Sequence, residues 1–500
     1  MEGLQQDYFF WRLIHHFVLN KNYRVLEQTR REVWLEDEEA NPRRILRIVR
    51  RDLDFSSWLK RDVVESVEKF EHIRRQLRLR KLVGENMYVT DYPPVDSWDE
   101  MGKPFFESKK KRTTVHTVFI DYQQALTFEL PTTPPCHSIE EMDLTIAHLK
   151  QQVRQVQAER DEKVKSLFFY GKPVATNILL MSIAVMFYLL ETKGSSTSIL
   201  TLIEFGAKFN PLILEGEWWR LVTAMFLHIG FLHVLMNSLA LYYLGSAVER
   251  MYGTVRFIFI YFVAGLAGSV ASFAFNEQVA AGASGAIFGL FGALLYFGVI
   301  HKKLFLRTMG KSVITILLIN LIIGFSLPMV DNGAHIGGLL GGFLASSIVQ
   351  LPRKRFVVKQ LLSLSLTALF IYGLFWYGTI NENKLSSPMI DLQIGQEYLQ
   401  LEELEKAYPF LQRAVEQGAD LPEATFLLAY LEAMFGNYSV AKELFLETIE
   451  RRPEFDEAHY NLALIYMELG QIEDARASIE RAVNLKRDET YLDLQKQLTN

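Results

Sequence analysis

The chain has almost no cysteine. Cys136 is the only one in 500 residues, so no intrachain disulfide can form. It lacks a large excess of either charge, and a formal net charge of −5 argues against a protein that coats nucleic acid. Residues 1–21 are aromatic but lack an apolar core and a small-residue cleavage site, being broken by Asp7, Arg12, His15 and His16. No cleaved signal peptide is expected. Two short loops, 276–283 and 328–334, contain no Lys or Arg at all. The long apolar runs carry no charged midplane residue and no obvious inverted repeat, which counts against a transporter.

What the chain does have is an uneven distribution of apolar residues. The fraction is 49% overall, yet residues 174–380 hold most of the long apolar runs while both flanks are rich in charge. That shift predicts a membrane domain between two soluble ones. Seven spans are expected, at 174–191, 225–247, 256–275, 284–300, 312–327, 335–351 and 361–380. Lys163, Lys165 and Lys172 precede the first. Glu249, Arg250 and Arg256 separate spans two and three, Lys302, Lys303, Arg307 and Lys311 separate four and five, and Arg353, Lys354, Arg355 and Lys359 separate six and seven. Basic loops thus alternate with non-basic ones, which places the N-terminal region in the cytoplasm and the C-terminal region outside. Loop 192–224 fits less well, because Lys193, Lys208 and Arg220 are only offset by Glu204, Glu215 and Glu217. Its Trp218-Trp219 pair suits a membrane–water interface.

This orientation collects polar side chains at one depth. Ser284, in Gly282-Ala283-Ser284-Gly285, starts span four, and His335, in Ala334-His335-Ile336-Gly337-Gly338, starts span six. Both are expected near the outer face. Span two adds His228, His233 and Asn237 to its outer half, with His233 and Asn237 four residues apart on one helix face. Each residue has a plainer reading. Gly285, Gly289 and Gly292 form a small-residue stripe, and Gly338 and Gly342 have small-xxx-small spacing, as packing helices do. His233 and Asn237 could simply join helices. Their coincidence at one level favours chemistry: a serine hydroxyl needs a base to become a nucleophile, and polar groups at membrane depth are costly. Close packing at the glycines would bring His335 within reach of Ser284. Asp331 is a possible third member, but its loop position favours a solvated residue and hence a dyad.

The combination of Trp219-Arg220, His228, His233, Asn237, Glu249-Arg250, Tyr252-Gly253, Gly282-Ala283-Ser284-Gly285 and Ala334-His335 resembles the rhomboid intramembrane serine proteases over residues 174–350. The resemblance implies that Ser284 is the nucleophile and His335 the general base. It implies that His233, Asn237 and the Ser284 N–H stabilise the oxyanion, and that Trp219-Arg220 belongs to a loop lying partly in the outer leaflet. His228, Gly282, Gly285, Phe288, Gly338, Trp219, Arg220 and Glu249 are expected as structural residues near the site. Phe288 stands where some relatives carry a tyrosine packed on the histidine; it keeps the ring and loses the hydroxyl. Span seven exceeds the six-helix family core. The chemistry implied needs no metal or organic cofactor.

The C-terminal region repeats every 34 residues: Ala407, Ala441 and Ala475; Gly395, Ala429 and Ala463; Gly436 and Gly470. This resembles tetratricopeptide repeats, which stack helix pairs into a groove for peptides or partner proteins. Glu402 stands where the first repeat should have glycine. A seven-span rhomboid with this appendage resembles the larger rhomboid proteases of Gram-positive bacilli.

The N-terminal region is expected to be a small α/β domain, with an aromatic helix at 4–20, strands at Glu32–Glu36 and Arg44–Val49, and an amphipathic helix through Val63, Val67, Phe70, Ile73 and Leu77. A capping box, Ser138 and Glu141, starts a charged helix running to Lys165. The basic stretches Arg74–Lys81 and Lys109–Arg112 read as solvated faces, with anionic lipid as the alternative. The run Glu36-Asp37-Glu38-Glu39 could hold a divalent cation weakly.

The chain is thus expected to be mainly α: a polytopic rhomboid bundle at 174–380 with an extra seventh span, an N-terminal domain at 1–137, a connecting helix at 138–173, and an extracytoplasmic α-α repeat solenoid at 388–490. The expected activity is intramembrane serine endopeptidase, cutting membrane-protein substrates near the outer face of a bacterial plasma membrane. The lipid bilayer is its solvent, a protein partner on the repeats is possible, and nucleic acid is not expected. The alternative is a rhomboid-fold adaptor that passes membrane clients to other machinery.

Overall fold

In a computed structural model, residues 2–52, 54–77, 79–90, 95–97, 105–106, 112–120, 138–352, 358–381, 387–418 and 420–499 are described. They form two compact units, Met1–Leu167 and Phe168–Asn500.

The first unit is a mixed six-stranded sheet covered by helices on both faces. Helix α1 (Glu2–His15) leads to β1 (Arg24–Gln28), β2 (Glu32–Asp37) and β3 (Arg43–Arg50), an antiparallel meander. Helix α2 (Ser56–Gln76) crosses over to β4 (Leu82–Val89), parallel to β3. The short β5 (Phe105–Phe106) pairs antiparallel with β6 (Thr113–Ile120), itself parallel to β4. Alternation along the strands divides the core. Val33, Leu35, Leu46 and Ile48 face α1 and helix α3 (Ile139–Phe168). Trp34, Ile45, Val49 and Tyr88 face Val63, Val67 and Phe70 of α2. Strands β1, β4, β5 and β6 were not expected from the sequence: β1 has no buried residue and a bulge between Val25 and Glu27, and β4 and β6 are interrupted by polar residues, Glu85-Asn86 and His116-Thr117. The N-terminal aromatic segment is α-helical to His15 and then closes with a π turn, His16–Asn20.

Three expectations for this unit need correction. Helix α3 begins on the expected cap, with the Glu141 N–H donating to Ser138 Oγ at 3.2 Å. It is more than a connector, because Ile146, Leu149 and Val153 are buried in the core of the first unit. The acidic run at 36–39 is not an open cation site. Glu36 is fully buried and pairs with Arg43, Glu38 pairs with Arg24, and Asp37 Oδ1 accepts the Glu39 and Ala40 N–H groups. Among the described residues no cluster of three or more His, Cys, Asp or Glu is arranged to hold a metal ion. Arg74 is no solvated cation either, since it is buried and donates to Glu71 and to the Leu79 carbonyl. Most of Lys109–Arg112 lies outside the described residues.

The second unit contains the expected helices with shifted ends. They are α4 (Val174–Lys193), the loop helices α5 (Ile199–Glu204), α6 (Asn210–Leu214) and α7 (Arg220–Thr223), α8 (Phe231–Ala240) continuing through a π turn into α9 (Ser246–Tyr252), α10 (Thr254–Phe275), α11 (Ser284–Ile300), α12 (Lys302–Thr308), α13 (Gly310–Ser326), α14 (Asn332–Val349) and α15 (Val358–Ile380). Among the described residues, four segments are long and apolar enough to cross a membrane alone: Val174–Lys193, Phe231–Tyr252, Thr254–Phe275 and Val358–Ile380. The pair α12 and α13, bent by 75°, would make a fifth. Leu361, Leu362, Leu369 and Trp376 on α15 are more than half exposed, as are Ile322 and Phe325 on α13. Contiguous exposed apolar surface of this kind needs lipid rather than water around it. The second span starts at Phe231 rather than 225, because the chain before it is a 3-10 turn (Ala224–Phe226) followed by extended backbone at Leu227.

Helices α11 and α14 meet backbone to backbone. A Cβ placed on Gly338 would lie 1.9 Å from the Gly285 carbonyl oxygen, and one on Gly342 would lie 2.1 Å from the Gly289 carbonyl oxygen. These are the glycines whose spacing suggested close packing. Helix α10 completes the trio, since a Cβ on Gly268 would lie 2.8 Å from the Ala334 oxygen.

Beyond α15 lie helix pairs α16 (Pro388–Gln400) and α17 (Leu404–Gln417), α18 (Pro422–Met434) and α19 (Tyr438–Arg451), α20 (Asp456–Glu468) and α21 (Ile472–Leu485), closed by α22 (Glu489–Thr499). The period-34 alanines Ala407, Ala441 and Ala475 are all fully buried at helix crossings. Glu402, Gly436 and Gly470 make the same turn, with φ of 60°, 81° and 72°. A left-handed conformation costs a residue with a Cβ about 1 kcal/mol. Replacing the exposed Glu402 by glycine should therefore raise the stability of the repeat helices by about that amount, read from thermal unfolding of the whole chain.

A buried ion network ties α2 to the sheet of the first unit. Arg47 donates to Asp62 Oδ2 at 2.7 Å and to Glu32 Oε2 at 2.8 Å, and the Tyr88 hydroxyl donates to Asp62 at 2.5 Å. Burial works to raise the Asp62 carboxyl, but the Arg47 and Tyr88 hydrogen bonds and the Arg47 charge outweigh it and hold the group below its ordinary value of 3.8. A carboxyl depressed in the folded state stabilises the fold above its unfolded value, and that contribution disappears as pH falls through the native value. Asp62→Ala should cost about 3 kcal/mol at neutral pH. Hydrogen exchange of α2 and β4 amides in the intact protein should show the difference from wild type shrinking on acidification.

Candidate active site

Ser284 and His335 come from helix beginnings that the glycine contacts force together. Ser284 is the first residue of α11 and lies one position before Gly285; His335 is on the first turn of α14, one turn before Gly338. Gly285 and Gly338 are in close backbone contact between these helices, and a Cβ on Gly285 would sit 3.3 Å from the Ala334 oxygen. Phe288, one turn after Ser284, stacks on the His335 ring with centroids 4.0 Å apart and planes at 10°. The phenyl ring thus fixes the imidazole plane beside α11 without a hydroxyl. His335 Nδ1 is buried with no hydrogen-bond partner. In this state no hydrogen bond joins Ser284 to His335 among the described residues, a common looseness in sites without substrate.

The segment before α8 and the start of α8 form the opposite wall. His228 is fully buried, and its Nε2 accepts the Ala283 N–H at 3.2 Å, next to Ser284. A ring nitrogen that accepts is unprotonated, so the His228 proton sits on Nδ1. The His233 ring packs edge-on against His228 at 5.2 Å and lies against Gly282, where a Cβ would be 2.9 Å from His233 Cε1. Gly282 has φ of 154°, at the edge of the range that favours glycine. Asn237 is buried and donates one of its two N–H groups to the His233 carbonyl at 3.0 Å, which leaves the other to give. His228 is therefore beside the site as expected, but on extended chain rather than on the span-two helix.

Two other residues do not sit where the sequence placed them. Glu249 is fully buried sixteen residues beyond His233, about 24 Å along a helix. Its carboxylate accepts the Ala175 and Thr176 N–H groups and the Thr176 and Thr254 hydroxyls, all at 2.7–2.8 Å, so it caps α4 and ties it to α10. Arg220 is also buried, donating to the Ile203 and Ala207 carbonyls and to Glu217, with its guanidinium 4.7 Å from the Trp219 ring. The Trp219-Arg220 pair holds the loop together and does not line the site.

Lys208 was missed as a site residue. A lone cation in Gly206-Ala207-Lys208-Phe209 reads from sequence as a loop charge, yet it is 1% exposed. Its Nζ donates to the Asn276 and Gln278 carbonyls at 2.6 and 2.8 Å, and its backbone pairs with Ala280. A cavity beside Ser284 is lined by Lys208, Met225, Ser269, Ser272, Gly282 and Asp331. Asp331 corrects the solvated-loop expectation. It is half-buried and caps α14, Oδ1 accepting the Ala334 N–H at 2.9 Å, while Oδ2 accepts a short hydrogen bond from Ser272 on α10. Its carboxylate is thus engaged with neighbours other than His335 Nδ1.

Loss of the cap in Asp331→Ala should cost about 1 kcal/mol and loosen the first turn of α14. Thermal unfolding in detergent and hydrogen exchange around His335 would register it, with Asp331→Asn close to wild type because the amide oxygen still accepts.

Comparison with known proteins finds two kinds of domain in the chain. A rhomboid domain matches residues 215–352, and tetratricopeptide repeats match 392–417 and 433–498. The Rhomboid protease GluP of Bacillus subtilis is 37% identical over 471 residues, 92% of each chain. The Putative rhomboid protease YdcA of the same organism is 38% identical over 30% of this chain and 76% of its own. The RHOMBOID-like protein 5 of Arabidopsis thaliana is 40% identical over 31% of this chain and 51% of its own. A multi-pass helical bundle with that similarity along nearly its whole length belongs to the rhomboid family of serine proteases.

Proposed function

We propose that the chain is an intramembrane endopeptidase that cuts transmembrane segments of membrane proteins through a Ser284–His335 dyad near the outer face of a bacterial plasma membrane. The observation that carries this reading is the Gly285–Gly338 backbone contact combined with the Phe288–His335 stack, which holds an imidazole beside the helix turn that starts with Ser284. In the reaction the Ser284 hydroxyl gives its proton to His335 as Oγ adds to the scissile carbonyl. The resulting oxyanion accepts hydrogen bonds from the free Asn237 N–H, from His233 and from the Ser284 N–H. Collapse expels the amine, which takes the proton from His335. Water, activated by the same imidazole, then hydrolyses the acyl-enzyme. His228, by holding the Ala283 N–H, keeps the loop before Ser284 in place.

The absence of Lys and Arg from loops 276–283 and 328–334 supports the outward-facing reading. Helix α11 has 17 residues, about 26 Å, short of a 30 Å hydrocarbon layer, which is compatible with a Ser284 end set below the surface. The repeats would then be extracytoplasmic and available to membrane-protein clients or a protein partner. The family resemblance implies small residues at the scissile bond with helix-destabilising residues nearby.

With purified protein and a model transmembrane substrate in detergent, Ser284→Ala and His335→Ala should each reduce cleavage by roughly 10³-fold or more. Asn237→Ala should lower kcat by about 10²-fold. Full cleavage by Ser284→Ala would sink the mechanism, and silence of the wild type would favour the adaptor function.

A further inference from the structure

The loop that carries Ser284 is connected mechanically to the tetratricopeptide repeats. Glu397, on the first repeat helix α16, reaches the N-terminus of α5 in loop 192–224. Its Oε1 accepts the Ile199 N–H at 2.7 Å, and its Oε2 accepts the Leu200 N–H at 3.0 Å and the Ser198 hydroxyl at 2.7 Å. Three charge-assisted hydrogen bonds on one carboxylate, at the positive end of a helix turn, make a strong and directional joint. The same Ser198 hydroxyl also accepts the Thr201 N–H at 3.1 Å, so the joint and the helix cap share an atom.

The other end of α5 leads to the active site. Leu202 of α5 and Ala207 pack in one buried cluster with Ala281 and Leu227. Lys208 and Ala280 then exchange backbone hydrogen bonds at 2.9 and 3.0 Å, and the Gly282 N–H donates to the Ala224 carbonyl at 2.9 Å. Gly282, which ends this stretch two residues before Ser284, lies against the His233 ring. A continuous path of packed and hydrogen-bonded groups therefore runs from the repeat helix through α5 and Lys208 to the nucleophile's loop.

We propose that Glu397 is a positioning residue: by clamping α5 it holds the Ala280–Gly282 strand, and so Ser284, in place. The clamp rests on the protease function for its catalytic consequence, while its structural coupling can be measured independently. The repeat domain is then part of the machinery that sets the Ser284 geometry, and movement of its first helix by a bound protein would act on the active site through this carboxylate.

The test uses the full-length protein in detergent with Glu397→Ala, Glu397→Gln and Ser198→Ala, and Glu450→Ala on an exposed repeat position as control. Two readouts are taken: hydrogen exchange of segments 199–208 and 276–282, and kcat and KM on a transmembrane substrate. In Glu397→Ala both segments should exchange faster, and kcat should fall about tenfold with KM little changed, the loss expected for hydrogen bonds to a charged group. Glu397→Gln keeps one accepting oxygen and should recover part of both, and Glu450→Ala should behave as wild type. Unchanged exchange at 199–208 overturns the clamp. Faster exchange there with no change at 276–282 overturns the coupling. If the wild type does not cut at all, the protease function fails, and the two exchange segments alone still decide whether Glu397 holds the Ser284 loop.

Discussion

The second unit depends on one close approach. Where α11 passes α14, carbonyl oxygens lie where side chains would otherwise be, at Gly285–Gly338 and Gly289–Gly342. In a lipid environment the hydrophobic effect does not drive helices together, so packing this tight, with small residues on both sides, supplies the association. The same contact decides the chemistry. Ser284 precedes one of these glycines and His335 lies one turn from another, so the packing contact and the candidate dyad share one geometry. Any side chain larger than hydrogen at these positions would have to separate the helices, and with them Ser284 from the Phe288–His335 stack.

Around that contact, the polar groups that could be dangerous in a membrane are put to structural use. Glu249 caps α4, Asp331 caps α14 and bonds Ser272, Lys208 holds two carbonyls, and Arg220 holds two more along with Glu217. Each of these charges thus satisfies backbone groups that helix ends and irregular chain leave open. Span seven contributes to the same scaffold: Phe375 packs against Trp218 of loop 192–224 and against Phe273 of α10. Helix α15 therefore braces both loop 192–224 and a helix of the glycine trio. The loop is held from three sides, by α15, by its own arginine and by Glu397 from the repeats, and rigid placement of this kind is what an oxyanion site requires.

The sequence by itself determined much of this. Long apolar runs marked the helices of the second unit, although span two begins at Phe231 rather than 225, and among the described residues four helices, or five with the bent pair, are long and apolar enough to cross a membrane. The period of 34 located the repeats, and even the irregular Glu402 turn was visible as a missing glycine. Ser284, His335, His233 and Asn237 were legible because polar residues are rare in such runs. Only the tertiary structure decided what depends on contacts distant along the chain. Asp331 and Glu249 read as loop acids until their partners 59 and 74 residues away are known. Lys208 reads as a solvated cation until the 276–278 carbonyls close around it. Glu397 is one acid among many until the fold carries it 198 residues back to Ile199. Strands β1, β4 and β6 were obscured because polar residues interrupt their apolar positions, so their pairing is decided by neighbouring strands distant in the chain. Local periodicity is written in neighbouring residues, whereas the partner of a buried charge is chosen by packing, and packing is a property of the folded chain.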